Sequence, residues 1–312
     1  MLSRSLIAFL VMALQPLAAG QPAIAADWRD SLSAFRVGIV AEGDLDASIS
    51  RAEPFRLALE EGLGIAVEIF AAKDLASLVD AAARSRIEYA VLSASALALA
   101  WDVCECVEPL VVARAADGAQ DYREVLIVRN DGPSSLGALK GGRIAAVRPA
   151  VFGGFDIALA ELKAAGLDVA AGEATLELAG DSEASIAALN AGSANALLGW
   201  SSTAASTGGD SAKAGRGTLA RIAALEGDAG GYRILWQSGD IPHRMHAVRR
   251  NLPGEVKTKL RELLTGMFDY DPVAYDSIEP EFGGGFVAAR LGQIEPLAAI
   301  VRSIRKKDAV GN

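Results

Sequence analysis

The chain has 312 residues, of which 51% are hydrophobic and 22% are charged, so its composition is that of a globular protein and neither disordered nor collagen-like. Its 39 acidic and 30 basic side chains give a net charge of −9, which argues against a nucleic-acid-binding protein, because such proteins need a basic surface to replace the counterions of phosphates. Two histidines and two cysteines leave little material for metal or thiol chemistry.

The first 25 residues have the order of features that is typical of a secretory signal. Arg4 precedes an apolar run over residues 6–14, and small residues end the segment at Ala25. A charged start, a short apolar stretch and small residues before the cleavage point are what signal peptides share. We therefore predict a signal peptide over residues 1–25 and an exported mature protein, the alternative being a retained amphipathic anchor. No later stretch approaches the roughly 18 apolar residues that a membrane-spanning helix needs.

Cys104 and Cys106 are separated by a single residue, Glu105. An exported protein meets an oxidising compartment in which thiols pair. In an extended segment the two Cα atoms would stand roughly 6.5–7 Å apart, at the outer edge of disulfide geometry. The sequence therefore leaves three interpretations open: a strained local disulfide, two packed thiols, and a soft-metal or redox site.

After residue 26, short apolar runs alternate with segments in which apolar residues recur every three or four positions. The first pattern is typical of buried strands and the second of helices that pack on one face. Strands are predicted at residues 35–40, 65–70, 89–92, 125–128, 144–147, 174–178, 194–198 and 232–236. Helices are predicted at residues 55–63, 75–82, 155–162, 186–189 and 256–267, the second of them capped by Asp74. Strands that alternate with helices predict an α/β fold with mostly parallel sheets.

Two segments have neither pattern. Residues 201–217 are small, polar and aperiodic, which predicts a mobile surface loop. The run Gly283-Gly284-Gly285 predicts a second flexible point, because glycine has the widest conformational freedom.

Motifs that carry catalysis are absent from the sequence. The nearest approach to the G-x-S-x-G elbow of hydrolases begins at Gly199 and has Thr203 in place of the second glycine. His243 and His246 have a spacing that would put both rings on one face of a helix, but Pro242 and the extended pattern after it argue against a helix. We predict solvated or core histidines, no metal site, no cofactor and no enzyme.

The most promising feature for binding is a strand-to-helix turn between Val147 and Phe155. The amino terminus of a helix presents free N–H groups and the positive end of its dipole, and both favour anions. Gly153 and Gly154 would let a ligand approach the backbone, unless they only allow the helix to pack closely on the strand. Arg148 is a cation beside this turn and would either contact the ligand or remain solvated.

Eight segments occur in a characteristic order over most of the chain after residue 26. They are residues 35–39, 87–92, 122–133, 136–145, 179–183, 188–192, 236–242 and 249–253. The most characteristic of them is Tyr122-Arg123-Glu124-Val125-Leu126-Ile127-Val128-Arg129-Asn130-Asp131-Gly132-Pro133. This order resembles the periplasmic solute-binding proteins of ABC transporters, in particular the phosphate, phosphite and phosphonate-binding family.

The resemblance implies two α/β lobes that are joined by two crossing hinge strands and close on a solute held between them. One lobe would comprise residues 26–124 with 237–312, and the other residues 125–236. The hinges would lie near residues 122–128 and 236–242. The partners implied are a small solute and a membrane ABC permease, which can distinguish the closed state from the open one. We expect a periplasmic monomer.

The ligand positions of that family are only partly kept. Its phosphonate-binding turn carries a Ser-Thr-Ser-Gly run, where this chain has Ala150-Val151-Phe152-Gly153 and thus backbone amides without hydroxyls. Asp181 or Ser182 replaces a histidine and Asn195 replaces an aspartate, whereas Tyr122 keeps its type. The ligand-binding residues that the resemblance implies are Tyr122, Ser93, Ser95, Arg148, Val151, Phe152, Gly153, Gly154, Asp181, Ser182 and Asn195.

Several of these residues have a structural alternative. Ser93 and Ser95 follow a predicted strand, where they would donate to the solute or cap the next helix. Asp181 would contact the solute or, as we expect, cap the helix that follows it. Aromatic residues near the turn would either line the cleft or belong to the core, namely Phe152, Phe155 and Trp200.

These patterns predict an exported protein that captures a small polar or anionic solute, first of all a phosphate- or phosphonate-like oxyanion, and delivers it to an ABC permease. An aspartate at position 181 would repel a dianion where the local dielectric constant is low, so a neutral or cationic solute remains an alternative. A ligand sensor or accessory protein of the same fold is the main alternative function. A hydrolase or transferase on a similar scaffold is a more distant one.

Overall fold

The computed structural model describes residues 28–41, 43–147, 154–204 and 216–310. Three groups of sequence predictions fall outside these ranges. They are the signal peptide over residues 1–25, the ligand residues Arg148, Val151, Phe152 and Gly153, and residues 205–215 of the predicted loop. None of the helices in the described ranges is both long and apolar enough to cross a membrane.

The first sheet has six strands and brings together distant parts of the sequence. Its order is β12 (Gly283–Ala288), β4 (Val107–Ala115), β11 (Met245–Arg249), β3 (Tyr89–Leu92), β1 (Phe35–Val40) and β2 (Val67–Ala72). Strands β2, β1 and β3 run parallel, and the remaining pairs are antiparallel. The helices around it are α1 (Leu45–Arg51), α2 (Glu53–Leu63), α3 (Leu75–Ala83), α4 (Ala94–Cys104), α8 (Gly254–Tyr270), α9 (Pro272–Ile278) and α10 (Glu295–Val310).

The second sheet also has six strands. Its order is β10 (Ile241–Pro242), β5 (Asp121–Arg129), β8 (Ala196–Ser202), β6 (Arg143–Ala146) and β7 (Thr175–Leu178), and β9 (Tyr232–Gln237) pairs with β5. The helices that pack on it are α5 (Gly154–Ala164), α6 (Ser182–Asn190) and α7 (Thr218–Glu226).

These sheets and helices confirm the predicted α/β class and its two-sheet architecture. Both sheets are mixed, however, where the sequence predicted mostly parallel ones. Three strands in each sheet are parallel, whereas β5 is antiparallel to β8, β9 and β10, and β4 is antiparallel to β11 and β12. The antiparallel pairs belong to the strands by which the chain leaves one sheet and returns from the other.

The chain crosses between the two sheets at two adjacent places. One crossing lies between the end of β4 and the start of β5, and the other between the end of β10 and the start of β11. The two crossings touch, because the backbone N–H of His243 donates to the carbonyl oxygen of Gln120 at 2.9 Å. Helix α10 is a further link, since it packs against α4 on one side and α5 on the other.

Local patterns explain where the helices form and end. In α2 the residues Phe55, Leu59 and Leu63, whose spacing predicted the helix, are fully buried against the first sheet. The helix ends at Gly64, whose φ of 72° is the left-handed conformation that favours glycine. The predicted cap Asp74 begins α3 by accepting a backbone hydrogen bond of 2.7 Å.

Both segments that were predicted to be flexible contain strand. Ser201 and Ser202 are the last residues of β8 and do not start a loop. The three glycines from Gly283 begin β12. Gly283 and Gly285 have left-handed φ angles of 62° and 78°, and a Cβ at Gly284 would stand 2.5 Å from the carbonyl oxygen of Arg114 on β4. Glycine is needed at these positions for a left-handed backbone and for the close approach of two strands, and not for flexibility.

Cys104 and Cys106 form a disulfide bond. The awkward geometry predicted from the sequence assumed an extended segment, but Cys104 is the last residue of α4 and Glu105 has a left-handed φ of 46°. This turn brings the two Cα atoms to 5.0 Å, within the usual range for a disulfide. Of the three interpretations, the structure has the local disulfide.

Candidate functional site

A cavity of about 490 Å³ opens at the carboxyl ends of the parallel strands β1 and β3. This edge of an α/β sheet is where ligands generally bind, and the volume suits a small molecule. Ser93 lies in the cavity wall and caps α4, its Oγ accepting a hydrogen bond from the N–H of Ala96 at 3.1 Å. Much of the wall is apolar and is formed by Ile39, Val40, Leu75, Leu92, Ile278 and Pro280.

Of the residues that the structure describes, three with charged side chains line this cavity, namely Arg51, Arg244 and Glu281. Arg51 and Glu281 are exposed, so water and salt screen their charges. The Arg244 side chain is 32% exposed, and its Nε lies 3.6 Å from Oε2 of Glu279, whose side chain is fully buried. The half-buried charge of Arg244 is therefore the least screened of the three.

Behind Arg244, three buried side chains are connected by hydrogen bonds. The Tyr89 hydroxyl contacts Nδ1 of His246, and Nε2 of the same ring lies 2.7 Å from Oε1 of Glu279. Burial lowers the pKa of His246 and outweighs the opposing effect of the Glu279 carboxylate, so the ring is neutral at pH 7. A proton on Nε2 satisfies both contacts, because Nε2–H donates to the carboxylate while Nδ1 accepts from the tyrosine. The connection holds Glu279 beside Arg244.

The carboxyl edge of the second sheet carries another group of polar side chains. Tyr122 and Glu124 share a face of β5, and Trp200 is the cross-strand partner of Glu124 on β8. The Trp200 ring meets that of Tyr122 edge-on, with the centroids 6.4 Å apart. Gly154 begins α5 beside them, since a Cβ at this glycine would stand 2.7 Å from the Tyr122 hydroxyl and would overlap Oε1 of Glu124. A phenol, a carboxyl group and the amino terminus of a helix thus meet at one place.

The carboxyl group of Glu124 is predominantly protonated at neutral pH. Burial raises its pKa to about 8, because the charged form loses its hydration and no cation among the described residues compensates. Burial likewise raises the pKa of the Tyr122 phenol. At pH 7 both groups therefore carry a proton that they can donate in a hydrogen bond.

An aromatic contact joins the two groups of polar side chains. The rings of Tyr122 and His243 are stacked, with centroids 5.6 Å apart, and the His243 ring in turn contacts that of Phe282 at 4.8 Å. The residues adjacent in sequence to this pair, Arg244 and Glu281, line the cavity of the first sheet. Because consecutive residues reach both places, the cavity and the Tyr122 group are neighbours.

Both histidines belong to the core, as one of the two sequence interpretations had it. His246 is fully buried in β11, and His243 is buried between the two sheets. Burial lowers the pKa of His243 to about 4, with a smaller contribution from the Arg216 charge, so this ring is also neutral. Among the described residues there is no group of three side chains suited to hold a metal ion.

The structure brings three of the predicted ligand residues to these neighbouring places: Ser93 to the cavity, and Tyr122 and Gly154 to the edge of the second sheet. Ser95 is buried in α4, with its Oγ 3.1 Å from that of Ser93. Phe155 is a core residue, whereas Trp200 is partly exposed at the sheet edge.

Three other predicted ligand residues lie apart from this region. Asp181 caps α6, as expected, by accepting a hydrogen bond from the N–H of Ala184 at 2.8 Å. It follows β7 with Ser182, three strand spacings or roughly 14 Å from β5. Asn195 precedes β8 at the opposite edge of the sheet, where its Oδ1 accepts from the N–H of Arg143 at 2.8 Å.

Sequence reasoning did not single out Glu124, Arg244 or Glu279. A signal for Glu124 was available, since it interrupts a run in which Tyr122 and Leu126 point to the same buried face of a strand. Arg244 and Glu279 carry no local signal, because they are 35 positions apart and meet only when α9 packs beside β11.

Comparison with known families gives a match over most of the chain. The sequence profile of the family described as "ABC transporter, phosphonate, periplasmic substrate-binding protein" matches residues 37–281. A comparison with curated protein sequences found no match.

Solved structures share the fold at low sequence identity. XAC2383 of Xanthomonas citri, bound to ATP, is 18% identical over 88% of this chain and 99% of its own, with a TM-score of 0.62. PhnD1 of Prochlorococcus marinus, in complex with methylphosphonate, is 14% identical over 88% of this chain and 99% of its own, with a TM-score of 0.53. A binding protein component of a phosphonate ABC transporter from Pseudomonas aeruginosa is 19% identical over 89% of both chains, with a TM-score of 0.51.

Proposed function

Since this chain belongs to the phosphonate-type periplasmic substrate-binding proteins of ABC transporters, we propose that it captures a small polar or anionic solute between two lobes and delivers it to an ABC permease. A phosphate- or phosphonate-like oxyanion is the first candidate for the solute. The family is a class of transport proteins, and we propose that this member works without catalysis and as a monomer.

The observation that carries the proposal is that two clusters of polar side chains, one at the carboxyl edge of each sheet, lie next to each other. The cavity at Ser93 and the group around Tyr122 are linked by the stacked ring of His243, next to the two crossings of the chain. A solute that touches both groups favours the arrangement in which the lobes are closed, because it gains contacts only there. We assign residues 26–124 with 237–312 to one lobe and residues 125–236 to the other. The boundaries lie inside the proposed hinge segments, and the parts of β5 and β10 beyond them, with Tyr122 and Glu124, hydrogen-bond within the second sheet.

The chemistry at the second sheet suits a solute that accepts hydrogen bonds. The Tyr122 hydroxyl and the protonated Glu124 carboxyl are donors at pH 7, and the backbone N–H of Gly154, at the amino terminus of α5, donates to the Tyr122 oxygen. Solute oxygens are the natural partners of such a set. Contacts of the preceding turn, at Arg148, Val151, Phe152 and Gly153, stay predictions, as do those of Asp181, Ser182 and Asn195.

Export is the premise of this function. The family is periplasmic, and we propose that residues 1–25 direct export and are then removed. The test is amino-terminal sequencing of the protein recovered from a periplasmic extract, in which the first residue should be Ala26. Recovery of the intact chain in the membrane fraction would favour a retained anchor instead.

Solute capture is tested by thermal-shift screening followed by titration calorimetry on the purified mature protein. The panel comprises phosphate, phosphite, methylphosphonate, alkanesulfonates and small carboxylates, with sugars and amino acids as neutral and zwitterionic solutes. At least one solute should bind with 1:1 stoichiometry and raise the melting temperature. Failure of every solute in the panel to bind would contradict the proposal.

A matched pair of variants tests the role of the second sheet. Tyr122→Phe removes one hydroxyl and should weaken binding by about fivefold, the value of one neutral hydrogen bond. Tyr270→Phe is the control, because the Tyr270 hydroxyl donates to the Leu263 carbonyl oxygen on the exposed surface of α8. Equal affinities of the two variants for the solute would show that the Tyr122 hydroxyl does not contribute to binding.

A measurement of solute uptake by cells that lack the gene distinguishes a transport function from a sensing function. Deletion of the gene should abolish uptake of the bound solute if the protein delivers it to a permease. A sensor of the same fold would leave uptake of labelled solute intact while altering the response of the cell to it.

A further inference from the structure

We infer that Arg244 binds the anionic group of the solute in the cavity of the first sheet, and that the solute is an organic oxyanion whose apolar part lies against the cavity wall. The inference rests on the proposed function, since it names the solute class and the residue that selects it.

The guanidinium of Arg244 has N–H donors that no described residue uses. Its side chain lines the cavity and is half-buried, yet among the described residues its guanidinium makes no hydrogen bond within the 3.5 Å limit of such contacts. Its only charged partner there, Glu279, faces Nε at 3.6 Å, so the two terminal nitrogens remain available to donate. A planar fork of this kind matches the two oxygens of a carboxylate, phosphonate or sulfonate.

Three buried side chains hold the carboxyl group that the Arg244 guanidinium faces. Glu279 is held by His246, and His246 by Tyr89, in surroundings where all three side chains are buried. The Glu279 carboxyl group faces Arg244 from behind, with Oε2 3.6 Å from Nε. The ion pair with this fixed group limits the orientations of the guanidinium, which lowers the conformational entropy that Arg244 loses when it binds an anion.

The charged groups around the cavity differ in how strongly water screens them. Arg51 and Glu281 have opposite signs and are exposed, so their effects largely cancel in water. The donors of the second sheet, Tyr122 and Glu124, are uncharged at pH 7. Among the described residues Arg244, which also faces Glu279, is therefore the least screened cation at this place, while neutral groups supply further hydrogen bonds.

The apolar cavity wall indicates that the solute carries an alkyl group beside its anionic group. The surfaces nearest the β-strand ends are aliphatic, with Ile39, Leu75 and Leu92 among them. A bare inorganic anion would leave this surface in contact with water, whereas an alkyl group would cover it. Each methylene that becomes buried should strengthen binding by roughly fourfold.

The experiment compares Arg244→Gln, Arg244→Lys and the control Arg84→Gln by titration calorimetry on the whole mature protein. Arg84 forms an exposed ion pair with Asp80 at 2.7 Å, so its replacement changes the net charge equally without touching the cavity. The probes are hexylphosphonate, hexanesulfonate and hexanoate, with methylphosphonate as the short homologue and hexanamide as the uncharged one. Thermal denaturation of each variant establishes that it is folded.

The expected result is that at least one hexyl oxyanion binds more tightly than methylphosphonate and hexanamide. Arg244→Gln should then weaken its binding by about tenfold or more, Arg244→Lys should have an intermediate effect because the bidentate fork is lost, and Arg84→Gln should have none. Binding of the oxyanion by folded Arg244→Gln within twofold of the unaltered protein would overturn the inference.

Failure of this inference is distinguishable from failure of the proposed function. If a neutral or cationic solute of the wider panel binds in preference to all the oxyanions, solute capture stands and the assignment to Arg244 falls. If an oxyanion binds and responds to Tyr122→Phe but not to Arg244→Gln, the same conclusion follows. If no solute of any class binds, both fall together.

Discussion

The carboxyl group of Glu124 fills the space that a side chain at Gly154 would need, since a Cβ added to this glycine would overlap Oε1. The same Cβ would stand 2.7 Å from the Tyr122 hydroxyl oxygen. Two groups of β5 thus already occupy the space beside the first residue of α5, and glycine is the residue that fits there. The sequence analysis left open whether this glycine serves a ligand or close packing. The observed neighbours establish close packing, and the ligand contact stays a proposal.

Gly154→Ala should lower the free energy of unfolding by about 1–2 kcal/mol, because the added methyl group displaces Glu124 and Tyr122 from a packed position. Urea denaturation measures the effect. In a Glu124→Ala background the same substitution should cost less, since one of the two obstructing groups is gone. Gly292→Ala is the control, because a Cβ there meets no atom within 4 Å. An equal cost in both backgrounds would show that Glu124 does not determine the requirement for glycine.

Glu124→Gln should change the pH dependence of stability. The pKa of Glu124 is raised from 4.5 to about 8, so between these values the unfolded state has released a proton that the folded state retains. The stability contribution is thus complete below pH 4.5 and is lost as the pH rises to about 8. The neutral, isosteric glutamine removes this loss, and the variant should gain roughly 2–4 kcal/mol relative to the unaltered protein between pH 5 and pH 9.

The measurement for Glu124 is urea denaturation at several pH values for both proteins. Glu226→Gln is a suitable control, since Glu226 is an exposed residue whose carboxylate accepts a hydrogen bond from Asn190 on the surface. Parallel stability curves for Glu124→Gln and the unaltered protein would contradict a raised pKa.

Asp181→Ala should destabilise the protein by about 1 kcal/mol and leave solute affinity within twofold, because the side chain caps α6. Asp181→Asn should keep the stability, since an asparagine oxygen accepts the same hydrogen bond from the Ala184 N–H. Thermal denaturation and calorimetry with the identified solute measure the two effects. A large change of affinity in the Asn variant would assign Asp181 to the binding site after all.

Reduction of the Cys104–Cys106 disulfide should lower the free energy of unfolding by only about 1–2 kcal/mol, because the bond closes a very short loop. Thermal denaturation with and without reductant measures the change. The double variant Cys104→Ala with Cys106→Ala is the control. Its stability should equal that of the reduced protein and should not change when reductant is added. Two titratable thiols in the unreduced, denatured protein would show that the bond is absent.

Local sequence was sufficient for much of the architecture. The spacing of Phe55, Leu59 and Leu63 predicted α2, and Asp74 and Asp181 were recognised as caps, because these features depend on neighbours within one or two turns of a helix. The errors arose where contacts are distant. Gly284 in β12 was interpreted as flexible, although the reason for glycine there lies in the backbone of β4 more than 150 positions away.

The sequence by itself determined the α/β class, eight of the twelve strands and five of the ten helices that the structure describes, and the family through the order of its segments. Only the tertiary structure decided which polar groups meet. It places the Glu124 carboxyl beside Gly154, where burial holds a proton on it, and it brings Glu279 to Arg244. The physical reason is that periodicity and capping are local properties of the chain, whereas desolvation and charge pairing depend on surfaces that only the packed strands and helices create.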